Sequence, residues 1–226
     1  MDCLRITLCE ANECVSGPKF SSEFRRDFEE LLRWRRDVRH FCTDPVEDQL
    51  VQELLRRAMM SPSVGYSQPW RWVLVEDLER RRLVAECFER ANTAAQATYL
   101  DERREQYGRL KLAGLREAPV HLAVFAEEGT TTGSGLGRGT MPETLVWSVV
   151  MAIHSFWLAA RSEGLGVGWV SILDPDAIGP ILDTPPDWRF VAYLCLGWPE
   201  EAHEDPLLER SGWESRLQQK DLVLIR

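Results

Sequence analysis

Apolar side chains recur at Phe24, Phe28, Leu31 and Leu32, the period of a helix with one buried stripe, and Ser21 or Ser22 can cap its first turn. The stripe ends in Arg33-Trp34-Arg35-Arg36-Asp37-Val38-Arg39, where no helical pattern survives. A second stripe runs through Val46, Leu50, Val51, Leu54, Leu55 and Ala58. Asp44-Pro45 ahead of it, a cap and a first-turn proline, predicts the start of that helix. Residues 70–75 read as a strand. Between helix and strand lies Ser61-Pro62-Ser63-Val64-Gly65-Tyr66-Ser67-Gln68-Pro69, whose prolines and glycine stop either element from running through.

Beyond the strand, Leu83, Val84, Cys87 and Phe88 give a charged stretch a helical stripe, and residues 99–115, rich in Arg and Glu, predict a surface helix or mobile lid. Pro119 opens a strand over residues 120–126. Residues 129–140 form a Gly/Thr-rich loop. It is not a dinucleotide fingerprint, because Arg138 stands where the third motif glycine belongs, and it predicts a flexible or partner-contacting connection. Residues 141–161 form a helix apolar nearly all round, suited to a core or a subunit interface, with His154 expected as a satisfied core histidine. Gly164, Gly166 and Gly168 precede a strand ending near Ser171, and their small size lets backbone approach a flat ligand. Asp174-Pro175 starts a short helix to Leu182, and residues 188–198 supply another strand. Helices around dispersed strands imply one α+β domain over residues 20–226, after a poorly ordered leader, 1–19.

A net charge of −9 over 226 residues argues against nucleic acid as a partner. No apolar run predicts a membrane span and no secretory signal is evident, so the expected location is cytoplasmic. Of the 6 cysteines, Cys3, Cys9 and Cys14 crowd the leader without zinc spacing, so no metal is expected; Cys42, Cys87 and Cys195 read as small core residues.

The candidate chemistry begins with Arg35, Arg36 and Arg39, either a phosphate clamp or a solvated basic face. Ser61, Ser63 and Gln68 offer hydroxyls and an amide suited to a neutral polar ring. Together with the glycine-led strand and the late Arg216, this order of motifs resembles the flavin-dependent nitroreductase family from about residue 20 onward. The resemblance implies a central mixed β-sheet surrounded by helices, in an intertwined homodimer with FMN at the interface. It implies that Arg35, Arg36, Val38 and Arg39 hold the phosphate and ribityl end, with Arg216 contributing. Ser61, Pro62, Ser63 and Gln68 would line the flavin, Gly168 and Trp169 would lie near its face, and Glu143 and Thr144 would reach a neighbouring subunit's flavin.

Asp37 stands where ordinary members carry a small hydroxyl residue. With Gly137-Arg138-Gly139-Thr140-Met141-Pro142-Glu143-Thr144 and Gly168-Trp169-Val170-Ser171, it resembles a branch of the family that consumes reduced FMN and dioxygen and breaks the ring down. That branch takes reduced FMN from a separate flavin reductase. The resemblance makes Asp37 and Ser171 the catalytic pair. A carboxylate disfavours an anionic reduced ring but serves as a proton acceptor. The competing readings are a salt bridge from Asp37 to Arg36 or Arg39, a Ser171 bonded to nearby backbone, and a nicotinamide-dependent flavin reductase or non-catalytic flavin binder.

Overall fold

The computed structural model describes residues 17–218 and 222–226. The leader through residue 16, with Cys3, Cys9 and Cys14, lies outside the described residues.

The first helix, α1 (Ser22–Trp34), is capped by the Ser21 hydroxyl, which accepts from the Phe24 N–H. Its stripe is amphipathic, yet none of its residues is buried: Phe24 and Phe28 stack on one another and stand exposed. Helix α2 spans Asp48–Ala58 and buries Val51, Leu54, Leu55 and Ala58. It begins later than Asp44-Pro45 predicts, with Glu47 in the cap position and no side-chain cap bond. Pro45 is used elsewhere: its carbonyl accepts from the Trp198 indole N–H, 3.2 Å away.

Strand β1 (Trp70–Leu74) follows the Ser61–Gln68 loop, then α3 (Leu78–Ala97), capped by Asp77, and α4 (Asp101–Gly108). The expected lid over residues 99–115 is helical only across α4. Strand β2 (Val120–Glu127), helix α5 (Thr144–Ser162), strand β3 (Gly166–Val170), helix α6 (Pro175–Leu182), strand β4 (Trp188–Gly197) and a single turn, α7 (Leu207–Arg210), complete the order.

The strands form one sheet in the order β1-β2-β4-β3, each neighbour antiparallel. The mixed character expected of it is confined, among the described residues, to one isolated parallel bridge between Asp37 and Val167. The central strands β2 and β4 are buried on both faces, which explains their unbroken apolar runs. Leu122, Val124, Leu194 and Leu196 pack with α2 and α5, while Ala123, Phe125, Tyr193 and Cys195 pack with α3 and α6.

Helix α5 is long and apolar enough to cross a membrane by length and composition, with a mean hydropathy of 1.3, contrary to the sequence expectation. Val149, Ile153, Phe156 and Ala160 are nevertheless buried in the core, so it serves as a core helix. His154 on this helix is exposed, correcting its expected place in the core. The buried histidine is His121 on β2, whose Nδ1 lies 3.0 Å from the Tyr193 hydroxyl. Cys87 and Cys195 are buried as expected, whereas Cys42 is half-buried.

Candidate active site

Helix α1 stops because Arg35 leaves it with extended backbone, φ −71° and ψ 113°. The chain then runs beside β3: the Val38 N–H donates to the Val167 carbonyl at 3.0 Å, and Asp37 forms the parallel bridge. The glycines of β3 make this approach possible. A Cβ on Gly166 would stand 2.6 Å from the Val38 side chain, and one on Gly168 would overlap the Val38 carbonyl oxygen. The close approach expected of a flat ligand at Gly168 is therefore made, on this side, by the chain itself.

Asp37 is fixed by that placement. Its Oδ1 accepts from the Trp169 backbone N–H at 2.8 Å. Its Oδ2 accepts from Arg39, through Nε at 3.0 Å and through Nη2. The local salt bridge that competed with a catalytic reading is thus formed, and its partner is Arg39. Ser171 lies just past the end of β3, exposed, two residues beyond Trp169 or roughly 7 Å of extended chain. Asp37 is thus bonded to the middle of β3, and Ser171 follows its last residue.

The arginines gather at the same end of α1. The Arg35 guanidinium lies over the Trp157 ring, 4.9 Å from its centroid, and the Trp157 indole N–H donates to the Arg36 carbonyl at 3.2 Å. Arg36 donates through Nε to the Glu204 carbonyl at 2.6 Å. Burial lowers the pKa of Arg35, against the pull of Asp37. Burial also lowers that of Arg36, reinforced by the charges of Arg35 and Arg216 and opposed by those of Asp205 and Glu204. Arg216 is itself exposed but close enough for its charge to act at Arg36. Positive charge crowded in this way is relieved by an anion. A cavity of about 40 Å³ borders Arg36, Asp37, Arg39, Glu201, His203 and Asp205. That is room for about one water, far below the ~300 Å³ at which small-molecule sites begin.

The Ser61–Gln68 loop docks on the middle of α5. Ser61 Oγ donates to Ser155 Oγ at 2.7 Å, and the Val64 N–H donates to Ser148 Oγ at 3.0 Å. Ser63 Oγ accepts from the Gln68 N–H at 3.0 Å, closing the loop on itself. Tyr66 and Gln68 have positive φ, 57° and 47°, an uncommon and costly conformation for residues with side chains. Exposed Pro62 and Gln68 rim the loop, while the Ser67 hydroxyl is buried without a protein partner.

The Gly/Thr-rich loop has a defined task. Gly133 and Gly65 approach so closely that a Cβ on either would overlap the other loop's backbone, and Gly137 sits against Val64. Helix α5 unites the two halves of the site: Ser61 meets Ser155, while Arg35 covers Trp157 and its charge acts on His154, whose pKa is lowered by partial desolvation of a largely exposed ring and then by Arg35. Glu143 and Thr144 begin the same helix, away from the arginines. Trp157 escaped the sequence reading, because a helix apolar on every side does not reveal which residue a cation will cover.

Helix α4 is held by the C-terminal segment. Arg103 lies over the Trp213 ring, 3.7 Å from its centroid, and Tyr99 meets that ring edge-on at 5.4 Å. Gln106 also donates to the Ser211 carbonyl at 3.1 Å.

An arginine-lined helix end, a hydroxyl-rich loop and a glycine-led strand are thus arranged around one core helix. The chain belongs to the nitroreductase family, whose model matches residues 32–198. Among curated proteins it is 57% identical over 201 residues to the 5,6-dimethylbenzimidazole synthase of Rhodospirillum rubrum, covering 89% of this chain and 95% of that protein. It is 48% identical over 198 residues to the 5,6-dimethylbenzimidazole synthase of Rhodobacter capsulatus, covering 88% and 96%. Among solved structures, iodotyrosine deiodinase bound to FMN and 3-iodo-L-tyrosine superposes with a TM-score of 0.68 at 23% identity, over 88% of this chain and 97% of that one.

Proposed function

We propose that this chain is an enzyme with 5,6-dimethylbenzimidazole synthase activity, consuming reduced FMN and dioxygen to make the lower ligand of cobalamin. The observation that carries this reading is Asp37: a carboxylate set between the Trp169 N–H and Arg39 where a simple flavin reductase keeps a small hydroxyl. High identity to two curated synthases over most of the chain supports it.

The residues fit the flavin. Arg35, Arg36, Arg39 and Arg216 supply the positive charge a phosphate requires, and the crowding at Arg36 is relieved by it. Ser61, Ser63 and Gln68, with Pro62 shaping their loop, meet the polar edge of the ring. Val38, Gly168 and Trp169 set the wall beside it. Bound reduced FMN supplies the electron-rich ring that reacts with dioxygen and is broken down. Asp37 accepts or returns protons at its carboxylate, and Ser171 orients substrate through its hydroxyl.

A second copy completes the site. Phe24, Phe28 and Leu32 of α1 and Trp147, Val150 and Met151 of α5 leave apolar side chains exposed, and the cavity at the arginines is far too small for a flavin. A homodimer covers those side chains and supplies the missing wall. Reduced FMN, on this reading, comes from a separate flavin reductase. A cytoplasmic location accords with that supply.

The test is a flavin balance. Purified protein incubated with chemically reduced FMN is exposed to air, and total flavin is measured after complete reoxidation. Enzyme-dependent loss of flavin, absent without dioxygen, is expected. Full recovery of FMN with binding demonstrated would refute the proposal.

A further inference from the structure

The ion pair at Asp37 poses a chemical problem for the site. Asp37 accepts three N–H groups, from Trp169 and from Nε and Nη2 of Arg39, on a carboxylate with about four lone-pair directions. Little acceptor capacity remains for a substrate. Arg39 by contrast commits two of the five N–H donors of its guanidinium to this pair, and both converge on Oδ2 rather than forking across two oxygens. The pair is partly open to solvent, with the Arg39 side chain 17% and that of Asp37 35% exposed. Arg39 also borders the small cavity beside Arg36.

We propose that Arg39 determines specificity by holding Asp37 in an ion pair until an anionic group of the substrate takes its guanidinium. The inference rests on the reading that a reduced flavin nucleotide is that substrate. A phosphate carries roughly −1.5 to −2 charges and three acceptor oxygens, so it suits a guanidinium fork better than one carboxylate oxygen does. The anionic edge of a reduced ring offers the same chemistry. With Arg39 withdrawn, Asp37 keeps only the Trp169 N–H, which orients it, and regains free lone pairs. Arg39 is thus a positioning residue whose effect on Asp37 depends on what is bound.

The test is a binding cycle that needs no turnover. Dissociation constants for oxidised FMN are measured by calorimetry for the native chain, Asp37→Asn, Arg39→Met and the double variant. Competition for Arg39 predicts that Asp37→Asn binds oxidised FMN roughly tenfold tighter, the worth of one charge-assisted hydrogen bond, and that this gain vanishes in the Arg39→Met background. Reduced riboflavin, titrated without air, separates the two anionic sources. A gain for oxidised FMN, whose ring is neutral, assigns the phosphate, and a gain for reduced riboflavin, which has no phosphate, assigns the ring edge. Arg39→Gln replaces Arg39→Met if the latter does not fold. The latch is overturned if Asp37→Asn tightens no flavin, or if the gain persists in full without Arg39, as simple removal of negative charge would produce. Failure to form dimethylbenzimidazole would leave these affinities unchanged, so the two readings fail separately.

Discussion

Replacing Gly168 by alanine tests how the site is built. The new Cβ would overlap the Val38 carbonyl oxygen, a backbone atom that cannot rotate away, so the 36–39 segment must move off β3. Moving it weakens the 3.0 Å bond from the Val38 N–H to the Val167 carbonyl and the 2.8 Å bond from the Trp169 N–H to Asp37. Overpacking costs about 1–3 kcal/mol, and two strained hydrogen bonds add about 1 kcal/mol each. The sum is about 3–5 kcal/mol. At about 2–4 °C per kcal/mol for a chain of this size, Tm falls by roughly 6–20 °C. Gly135→Ala is the control: its φ of +77° makes alanine strained, but nothing lies within 4 Å of the added methyl, so its cost is about 1–2 kcal/mol. Differential scanning fluorimetry of both variants, with FMN titrations on whatever remains folded, measures the contrast. Equal Tm values for the two, with FMN affinity intact in Gly168→Ala, would refute the claim that β3 positions the Asp37 segment.

Asp37→Asn should lower kcat for dimethylbenzimidazole formation by about 10²–10⁴-fold while flavin still binds, and undiminished product yield would remove Asp37 from the chemistry. His121 is held neutral by burial, reinforced by Arg81, with its pKa lowered from 6.5 to about 3. The unfolded chain therefore takes up the proton first as pH falls, so this contribution is full above about 6.5 and is lost towards 3, at up to ~1.4 kcal/mol per pH unit. Urea midpoints between pH 7 and 4.5 should accordingly fall less steeply in His121→Gln, and parallel slopes would contradict the linkage. Phe28→Asp on exposed α1 should shift the sedimentation coefficient from dimer to monomer and weaken FMN binding, whereas an unchanged dimer would place the interface elsewhere.

Much of this architecture was legible in the chain. Apolar runs and periodicity placed the four strands of the described residues and most of their helices, because two-sided burial of β2 and β4 leaves continuous apolar runs and the Ser21 cap has a local cause. Tertiary use overrode local signals where the reading slipped. Asp44-Pro45 carries a helix-start signal, yet its carbonyl is spent on Trp198. His154 lies in an apolar run whose period cannot say which face is covered, while His121 is hidden in a strand where nothing local marks a distant Tyr193 as its partner. The β3 glycines were read as letting backbone approach a flat ligand, and sequence cannot show that on one side it is Val38 that packs against them. The arginines and Asp37 were legible as a cluster, but the choice of Arg39 as the partner of Asp37 depends on side-chain geometry that spacing does not encode.

The central claim is most directly tested by the identity of the product. Protein is incubated under air with FMN kept reduced by an added reductase, and the mixture is resolved by chromatography against authentic 5,6-dimethylbenzimidazole. The account predicts that this compound accumulates in proportion to enzyme and disappears when dioxygen is withheld. Recovery of only reoxidised FMN and hydrogen peroxide, from protein shown to bind reduced FMN, would contradict it.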